Sequence, residues 1–371
     1  MNIPLVDLQA QHHEIAGELM PALDELLTSA ALIGGFAVSR FEAAYARAMS
    51  VSHCVGVANG TDALELALRA VGVRRGDEVI LPANTFIATA EAVVRIGAQP
   101  VLVDVDPMYL LIDPRAVPCA VTSRTRAIVP VHLFGQVAPM EDLAEIAEHY
   151  GLKIVEDAAQ AHGAGRYGHP LGSHSHMVAT SFYPGKNLGA AGDAGAVTTN
   201  DESLAASVRM LAAHGSRTKY VHEAMGMNSR LDAVQAVVLD IKLRRLGHWN
   251  HQRRVAASYY HELLAQIPEI SLPATAEGNV DAWHLYVVRT RDRNRILKEL
   301  NAAGIQAGVH YPVPLHLTEA WSRSKFPNGS FPVAERASEQ ILSLPLFPHI
   351  TPEQQRRVAA SLTAAIQGGG Q

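Results

Sequence analysis

Apolar and polar positions first divide the chain into elements. Ile3 to Leu8 is a short extended piece. Ile15, Leu19, Leu23 and Leu26-Leu27 then repeat near 3.6-residue spacing, which predicts a helix. Leu32-Ile33-Gly34-Gly35 breaks the pattern, and Phe41 to Met49 reads as a second amphipathic helix. Val55 to Ala58 is a short strand, Asn59-Gly60-Thr61-Asp62 its turn, and Ala63 to Val71 a helix rich in Ala, Leu and Glu, with Thr61 and Asp62 as candidate caps. Glu78 to Pro82, Pro100 to Val105, Ala127 to His132 and Lys153 to Asp157 are apolar runs without alternation, separated by helical stretches. Such runs predict a mostly parallel sheet covered on both faces. Two more short runs, Met177 to Phe182 and Ala194 to Thr199, read as strands, and Asp201 to Ala213 as a helix. His214 to His222 is polar and mostly irregular. A long helix runs from Ala233 to about Leu246, is interrupted at Gly247 and resumes to Leu264.

From Ala282 the pattern changes. Trp283 to Val288 alternates as a strand, Arg291 to Ala303 is a helix, Ile305 to His310 a second strand, and Tyr311 to His316 a proline-stiffened loop. Pro332 to Ile341 and Thr351 to Ile366 are helical, and Gly368 to Gln371 is expected to be disordered. The expected architecture is α/β: a large domain, residues 1–246, around a mostly parallel sheet, and a small C-terminal α+β domain, residues 247–371.

Composition narrows the partners. The 371 residues are 48% hydrophobic and 18% charged, enough for a sizeable core, and the net charge of −5 with no basic block argues against nucleic acid. Cys54 and Cys119 lack metal-ligand spacing and read as small buried hydrophobes in a reducing compartment. No basic segment followed by an apolar core opens the chain, and no apolar run reaches the length of a membrane span. A cytoplasmic protein without membrane or metal partners is expected.

Candidate chemistry gathers at Ser181-Phe182-Tyr183-Pro184-Gly185-Lys186-Asn187-Leu188-Gly189, a glycine-framed turn between two predicted strands. Lysine is scarce beside arginine, and only lysine readily loses its proton and forms an imine. On this stretch alone, a surface lysine in a hairpin loop explains the pattern equally well. Upstream, Glu156-Asp157-Ala158-Ala159-Gln160 places Asp157 at the carboxyl end of a strand, where α/β sheets bind ligands. A strand-end acid followed by a framed lysine suits pyridoxal phosphate enzymes, in which a lysine holds the cofactor and a carboxylate meets the pyridine nitrogen. Asp157 as a plain turn cap is the bland alternative. His132 reads as a structural histidine with no obvious partner.

These two motifs closely resemble the DegT/DnrJ/EryC1/StrS nucleotide-sugar aminotransferases, and the resemblance runs from Pro4-Leu5-Val6-Asp7-Leu8 to about Pro348. It implies the aspartate aminotransferase-like fold (fold type I) and pyridoxal 5'-phosphate, with pyridoxamine phosphate as its half-reaction form. Lys186 and Asp157 are then catalytic. Gly60, Thr61 and Asp62 hold the cofactor phosphate with Ser181, Phe86 stacks on the ring, and Gln160 meets its phenolic oxygen. The resemblance implies a homodimer with shared sites, in which Asn228 reaches the partner's phosphate; a cap on the following helix is the alternative role for Asn228. Tyr183, Lys219, Tyr220, His222, Arg230, Tyr311 and His316 become candidate substrate contacts. Tyr183-Pro184-Gly185 before the lysine, and Gly215-Ser216-Arg217 with Lys219-Tyr220 and His222, look most like members that convert a dTDP-linked 3-keto-6-deoxyhexose to its 3-amino sugar, with L-glutamate as donor. The rivals are a 4-keto-sugar or cyclitol aminotransferase, a dehydratase, which would carry histidine in place of Lys186, and a non-catalytic regulator on the same scaffold. A nicotinamide-binding reading lacks its GxGxxG turn.

Overall fold

A computed structural model describes residues 2–321 and 326–368; the expected disorder at Gly368 to Gln371 falls almost wholly outside them. Seven strands form the central sheet: β1 (His53–Val57), β2 (Glu78–Pro82), β3 (Gln99–Val103), β4 (Thr125–Ile128), β5 (Lys153–Asp157), β6 (Met177–Ser181) and β7 (Gly195–Thr199), in the order β1-β7-β6-β5-β4-β2-β3. Five of the strands, β6 to β3, run parallel, and β7 is antiparallel to both of its neighbours. The sheet is therefore mostly parallel, and all five residues of β2 and of β7 are buried, as sheets covered on both faces require.

Helices α1 (Leu8–Ser29), α2 (Gly35–Ala48), α3 (Gly60–Ala70), α4 (Ile87–Ile96), α5 (Met140–Tyr150), α6 (Glu202–Ala212) and α7 (Ala233–Leu264) follow in chain order. Helix α1 begins well before its apolar repeat because the Asp7 side chain caps it, accepting from the Ala10 N–H at 2.9 Å. The cap of α3 is Asn59, whose Oδ1 accepts the Asp62 N–H at 2.8 Å, and not Thr61 or Asp62. Gly97 and Gly151 end α4 and α5 in the left-handed conformation, where glycine carries no Cβ penalty. The polar stretch from His214 to His222 is not irregular. It forms a hairpin of β8 (Ser216–Thr218) and β9 (Val221–His222).

Helix α7 is continuous over 32 residues, and Gly247 does not interrupt it. That glycine is exposed and a Cβ on it would meet nothing within 4 Å, so its helix cost is local and the packed face carries the helix through. One face of α7 buries three polar or charged side chains, each of which bonds to peptide carbonyls. Lys242 Nζ donates to Gly189 O (2.7 Å), Asn250 Nδ2 to His162 O (2.7 Å), and Arg253 Nη1 to Leu346 O (3.0 Å) and Trp283 O (3.3 Å). No carboxylate pairs with either buried cation among the described residues; burial alone pulls Lys242 down to about 8 and Arg253 down to about 10.

The C-terminal lobe is a three-stranded antiparallel sheet with β11 (Tyr286–Thr290) between β10 (Ile270–Ser271) and β12 (Ile341–Leu344), covered by helices α8 (Arg293–Ala302) and α10 (Pro352–Gln367). The second strand expected at Ile305 to His310 is not one: that segment makes single bridges, Ile305 to Ile3 and Gly308 to Ser343. The strand beside β11 is β12, which follows directly on helix α9 (Pro332–Gln340). Ile3 packs in the apolar cluster of this lobe with Tyr260, Tyr286, Leu300 and Leu362. Cys54 is buried as expected, but Cys119 is exposed.

Candidate active site

The sheet delivers its ligand-facing residues at the carboxyl ends of its strands. A cavity of about 420 Å³ opens there, lined by the turn after β1 (Asn59, Gly60, Thr61), the start of α4 (Thr85, Phe86, Ala88), the ends of β4, β5 and β6, the lysine loop, and His284, His310 and Tyr311 from the C-terminal lobe.

Lys186 sits in this cavity, its peptide N–H bonded to Tyr183 O at 2.8 Å. Two close approaches shape the loop. A Cβ at Gly189 would lie 2.2 Å from Pro184 O, so only glycine lets the loop fold back on itself. At the loop's far end Gln235 Oε1 accepts the Ala191 N–H at 2.8 Å. Burial pushes the Lys186 amine down to about 8, against the pull of the Asp157 carboxylate, and no hydrogen bond holds its Nζ among the described residues. This is an amine prepared to lose its proton, not a surface lysine.

Asp157 lies in the same cavity, mostly buried, with both oxygens occupied: Thr89 Oγ1 donates to Oδ2 at 2.8 Å and the Ala159 N–H to Oδ1 at 3.2 Å. Thr85 Oγ1 lies 2.8 Å from Thr89 Oγ1, and because Thr89 gives its proton to Asp157, Thr85 donates to Thr89. Two acceptor bonds fix the orientation of this carboxyl group in the cavity. Beside it, Gln160 Oε1 accepts the Phe134 N–H (2.7 Å) and its Nε2 donates to the Tyr311 hydroxyl (3.1 Å), with one amide proton left for a ligand. Burial and the nearby Asp157 charge raise the Tyr311 phenol, keeping it protonated. Phe86 is half exposed to the cavity mouth and its ring lies 5.2 Å from that of Tyr311.

At the start of α3 the N–H groups of Gly60 and Thr61 have no hydrogen-bond partner among the described residues, and Ser181 faces them. A Cβ on Gly60 would lie 2.6 Å from Ser181 Cβ, and one on Gly195 2.5 Å from the Asn59 carbonyl carbon. The backbone is thus drawn tightly around a pocket of free N–H groups at a helix N-terminus, which suits a phosphate. The Asp62 carboxylate does not oppose this, because it turns away to Arg95, 3.1 Å off, and its N–H is spent on Asn59. A free N–H cup, a neutralisable amine, a hydrogen-bonded carboxylate and an exposed aromatic face together fit pyridoxal phosphate.

Other expected residues are placed elsewhere. Tyr183 is at the cavity rim and more than half exposed. His316 is buried outside the cavity, its Nε2 2.9 Å from Glu335 and its ring against Phe331, so it is not brought to the ligand. Lys219, Tyr220 and His222 lie on the exposed β8–β9 hairpin, outside the cavity of their own chain; Lys219 Nζ sits 5.0 Å over the Tyr220 ring and the His222 ring bonds to His214 O. Asn228 and Arg230 are exposed and also off the cavity. Asn228 does not cap α7, whose N-cap is Asp232.

Three features were invisible in the sequence reading. Thr89 orients Asp157 from a different strand–helix unit. His132 has two partners after all: the Ala138 N–H donates to Nδ1 (3.1 Å), so Nε2 carries the proton to Glu156 (2.8 Å). Asn187, next to the lysine, joins a buried network with Asn250 and His284, and only its position directly after Lys186 hinted at it.

The profile of the DegT/DnrJ/EryC1/StrS aminotransferase family matches residues 13–363. A protein of Saccharopolyspora erythraea named erythromycin biosynthesis sensory transduction protein EryC1 is 47% identical over 364 residues, 98% of this chain and all of the relative. The dTDP-3-amino-3,4,6-trideoxy-alpha-D-glucose transaminase of Streptomyces venezuelae is 47% identical over 356 residues, covering 96% of this chain and 94% of that one. Among solved structures, S. venezuelae DesV in complex with a ketimine intermediate superimposes with a TM-score of 0.96 at 46% identity, over 98% of both chains.

Proposed function

Because the chain belongs to the DegT/DnrJ/EryC1/StrS aminotransferase family, we propose that it moves an amino group from L-glutamate to C3 of a dTDP-linked 3-keto-6-deoxyhexose, in the making of a deoxyamino sugar. It is a transaminase and uses pyridoxal phosphate, the cofactor of its family. The observation that carries the reading is Lys186: an amine pulled down to about 8 by desolvation, in one cavity with Asp157.

When bound, pyridoxal phosphate supplies the carbonyl that takes up amines and the ring that absorbs carbanion charge. The chain's part is to hold and aim. Gly60, Thr61 and Ser181 would hold its phosphate, and Phe86 would lie against its ring. Gln160 would offer its spare amide proton to the phenolic oxygen, and Asp157, held by Thr89 and Ala159, would favour a proton on the pyridine nitrogen. Lys186, its amine pulled down to about 8, would be the group that takes up and gives back the proton at its own Nζ. Tyr183 and Tyr311 face the substrate from the rim and from the C-terminal lobe.

Asn228, Lys219, Tyr220, His222 and Arg230 serve the site of a second copy in a homodimer. What supports this is their exposure off their own cavity, together with the exposed apolar Met225 (87%) in the same stretch of chain. The division into residues 1–246 and 247–371 is our description of the two lobes; the apolar cluster around Tyr260 and Tyr286 draws on the second of them and on Ile3. Among the described residues no helix is long and apolar enough to cross a membrane. The two free cysteines suit a reducing compartment, and the cytoplasm is the location this reading proposes.

Amination rates on matched 3-keto and 4-keto sugar nucleotides and on an inosose test the substrate. The 3-keto sugar is expected to react fastest, and a clear preference for either rival would overturn the assignment. Lys186→Ala should abolish transfer and the borohydride-sensitive visible band with the fold intact; a variant with wild-type turnover would refute the mechanism.

A further inference from the structure

His284 is buried, lines the cavity, and bonds through Nδ1 to Asn187 Oδ1 at 3.1 Å. The direction of that bond is fixed by its neighbours. Asn187 Nδ2 donates to Asn250 Oδ1 (2.9 Å) and to Ala282 O (2.7 Å), and Asn250 Nδ2 is itself spent on His162 O (2.7 Å). Asn187 therefore turns its oxygen to His284, and an amide oxygen only accepts, so the proton sits on Nδ1. Burial, reinforced by the Lys186 charge, holds the ring well below its usual range, so it carries that one proton. Nε2 is left bare, and no protein group meets it among the described residues.

We propose that His284 is a specificity residue: locked as the Nδ1–H tautomer by Asn187, it presents Nε2 to the cavity as the acceptor for a hydroxyl of the sugar substrate. The inference rests on the nucleotide-sugar reading above. A bare ring nitrogen pairs with donors and not with acceptors, so the keto oxygen, the diphosphate oxygens and the carboxylates of the amino donor are not its partners. The donor's amine is committed to the reaction itself, and the nucleoside's donors, the deoxyribose hydroxyl and thymine N3–H, lie a diphosphate away from the reacting sugar; at a ring bonded to the residue after Lys186, that leaves the hexose's hydroxyl groups. Because the same ring anchors the residue after Lys186, the sugar is read against the amine that reacts with it.

Two substitutions separate the edges of the ring. His284→Asn puts an amide nitrogen where Nδ1 stands, keeping the bond to Asn187 while removing the cavity acceptor. Single-turnover measurements on the pyridoxal phosphate-loaded enzyme should show an unchanged half-reaction with L-glutamate and about a tenfold loss in kcat/KM for the keto sugar nucleotide, the worth of one neutral hydrogen bond. His284→Gln puts its amide near the Nε2 position and gives up the bond to Asn187. It should recover part of the keto-sugar half-reaction while cofactor retention weakens. Nitrogen-15 spectra of the loaded wild-type enzyme should show a neutral His284 ring protonated at Nδ1. A proton at Nε2, equal losses in both half-reactions of His284→Asn, or no loss with the keto sugar would each overturn the proposal. If wild type aminated no keto sugar nucleotide, the functional reading would fall and the hydroxyl with it; an Nε2-protonated ring beside intact amination would remove His284 alone.

Discussion

Lys186 and Asp157 were legible because their chemistry is rare: a lysine where arginine is the habit, and an acid at a strand's carboxyl end. Their environments make two tests. The Lys186 amine loses its proton near 8 in the folded chain and near 10.5 when unfolded. Between these values the unfolded chain binds more protons, so stability of the cofactor-free protein should rise with pH through that window. Thermal midpoints across it should climb, and Lys186→Met should make the climb shallower, the remainder belonging to Lys242, also pulled down to about 8; an unchanged slope would mean that burial does not perturb the Lys186 amine. Asp157→Asn should retain cofactor yet slow the half-reaction with L-glutamate roughly ten- to thousandfold, the size of losing an opposite charge at contact distance, with Asp157→Glu milder. Wild-type rates for Asp157→Asn would leave Asp157 a turn cap. Histidines misled the reading, because their partners are distant in sequence. His132 meets Glu156, and His316, expected at the substrate, meets Glu335. Nothing in the Trp283-His284 alternation pointed to a ring locked onto Asn187.

At the scale of elements, the parallel strands were readable because each is an apolar run too short for a helix and is followed by a polar turn. The misses have physical reasons. Ile341 and Leu342 continue the apolar face of α9, so the start of β12 was absorbed into the helix before it. Ile305 to His310 has the composition of a strand but finds only single bridges on either side. Gly247 looked like a break because glycine is a poor helix former, yet α7 runs through it on the strength of its buried face. Since that glycine is exposed and has open space at its Cβ, Gly247→Ala should stabilise the protein by about 0.5–1 kcal/mol in denaturant unfolding, with activity unchanged. Destabilisation would show that the helix needs the glycine's freedom.

At the scale of the whole molecule, the proposed dimer makes a sharp prediction. Asn228 neither caps α7 nor reaches its own cavity, so Asn228→Ala should change stability little and weaken cofactor retention. Mixing Lys186→Ala with Asn228→Ala subunits and allowing exchange should restore activity, because a heterodimer holds one site with both defects and one with neither. Heterodimers that form but stay inactive would place Asn228 in its own subunit's service. The sequence reading reached the dimer by resemblance only: a surface that meets a second copy has no periodic signature of its own. Helix α7 carries a consequence for recombination. Its carbonyl-reading side chains lie on both sides of residue 247, with Lys242 fastening the lysine loop and Asn250 and Arg253 fastening the segments that carry His162 and His284. A chimera spliced at 247 would import another enzyme's Asn250 and Arg253 against this enzyme's His162 loop, and so would change how the lysine is held along with the sugar pocket. Exchanges that begin after Leu264 keep the whole helix native, and where the incoming segment retains His284 those are the junctions at which the C-terminal side of the pocket can be swapped with the lysine loop still held.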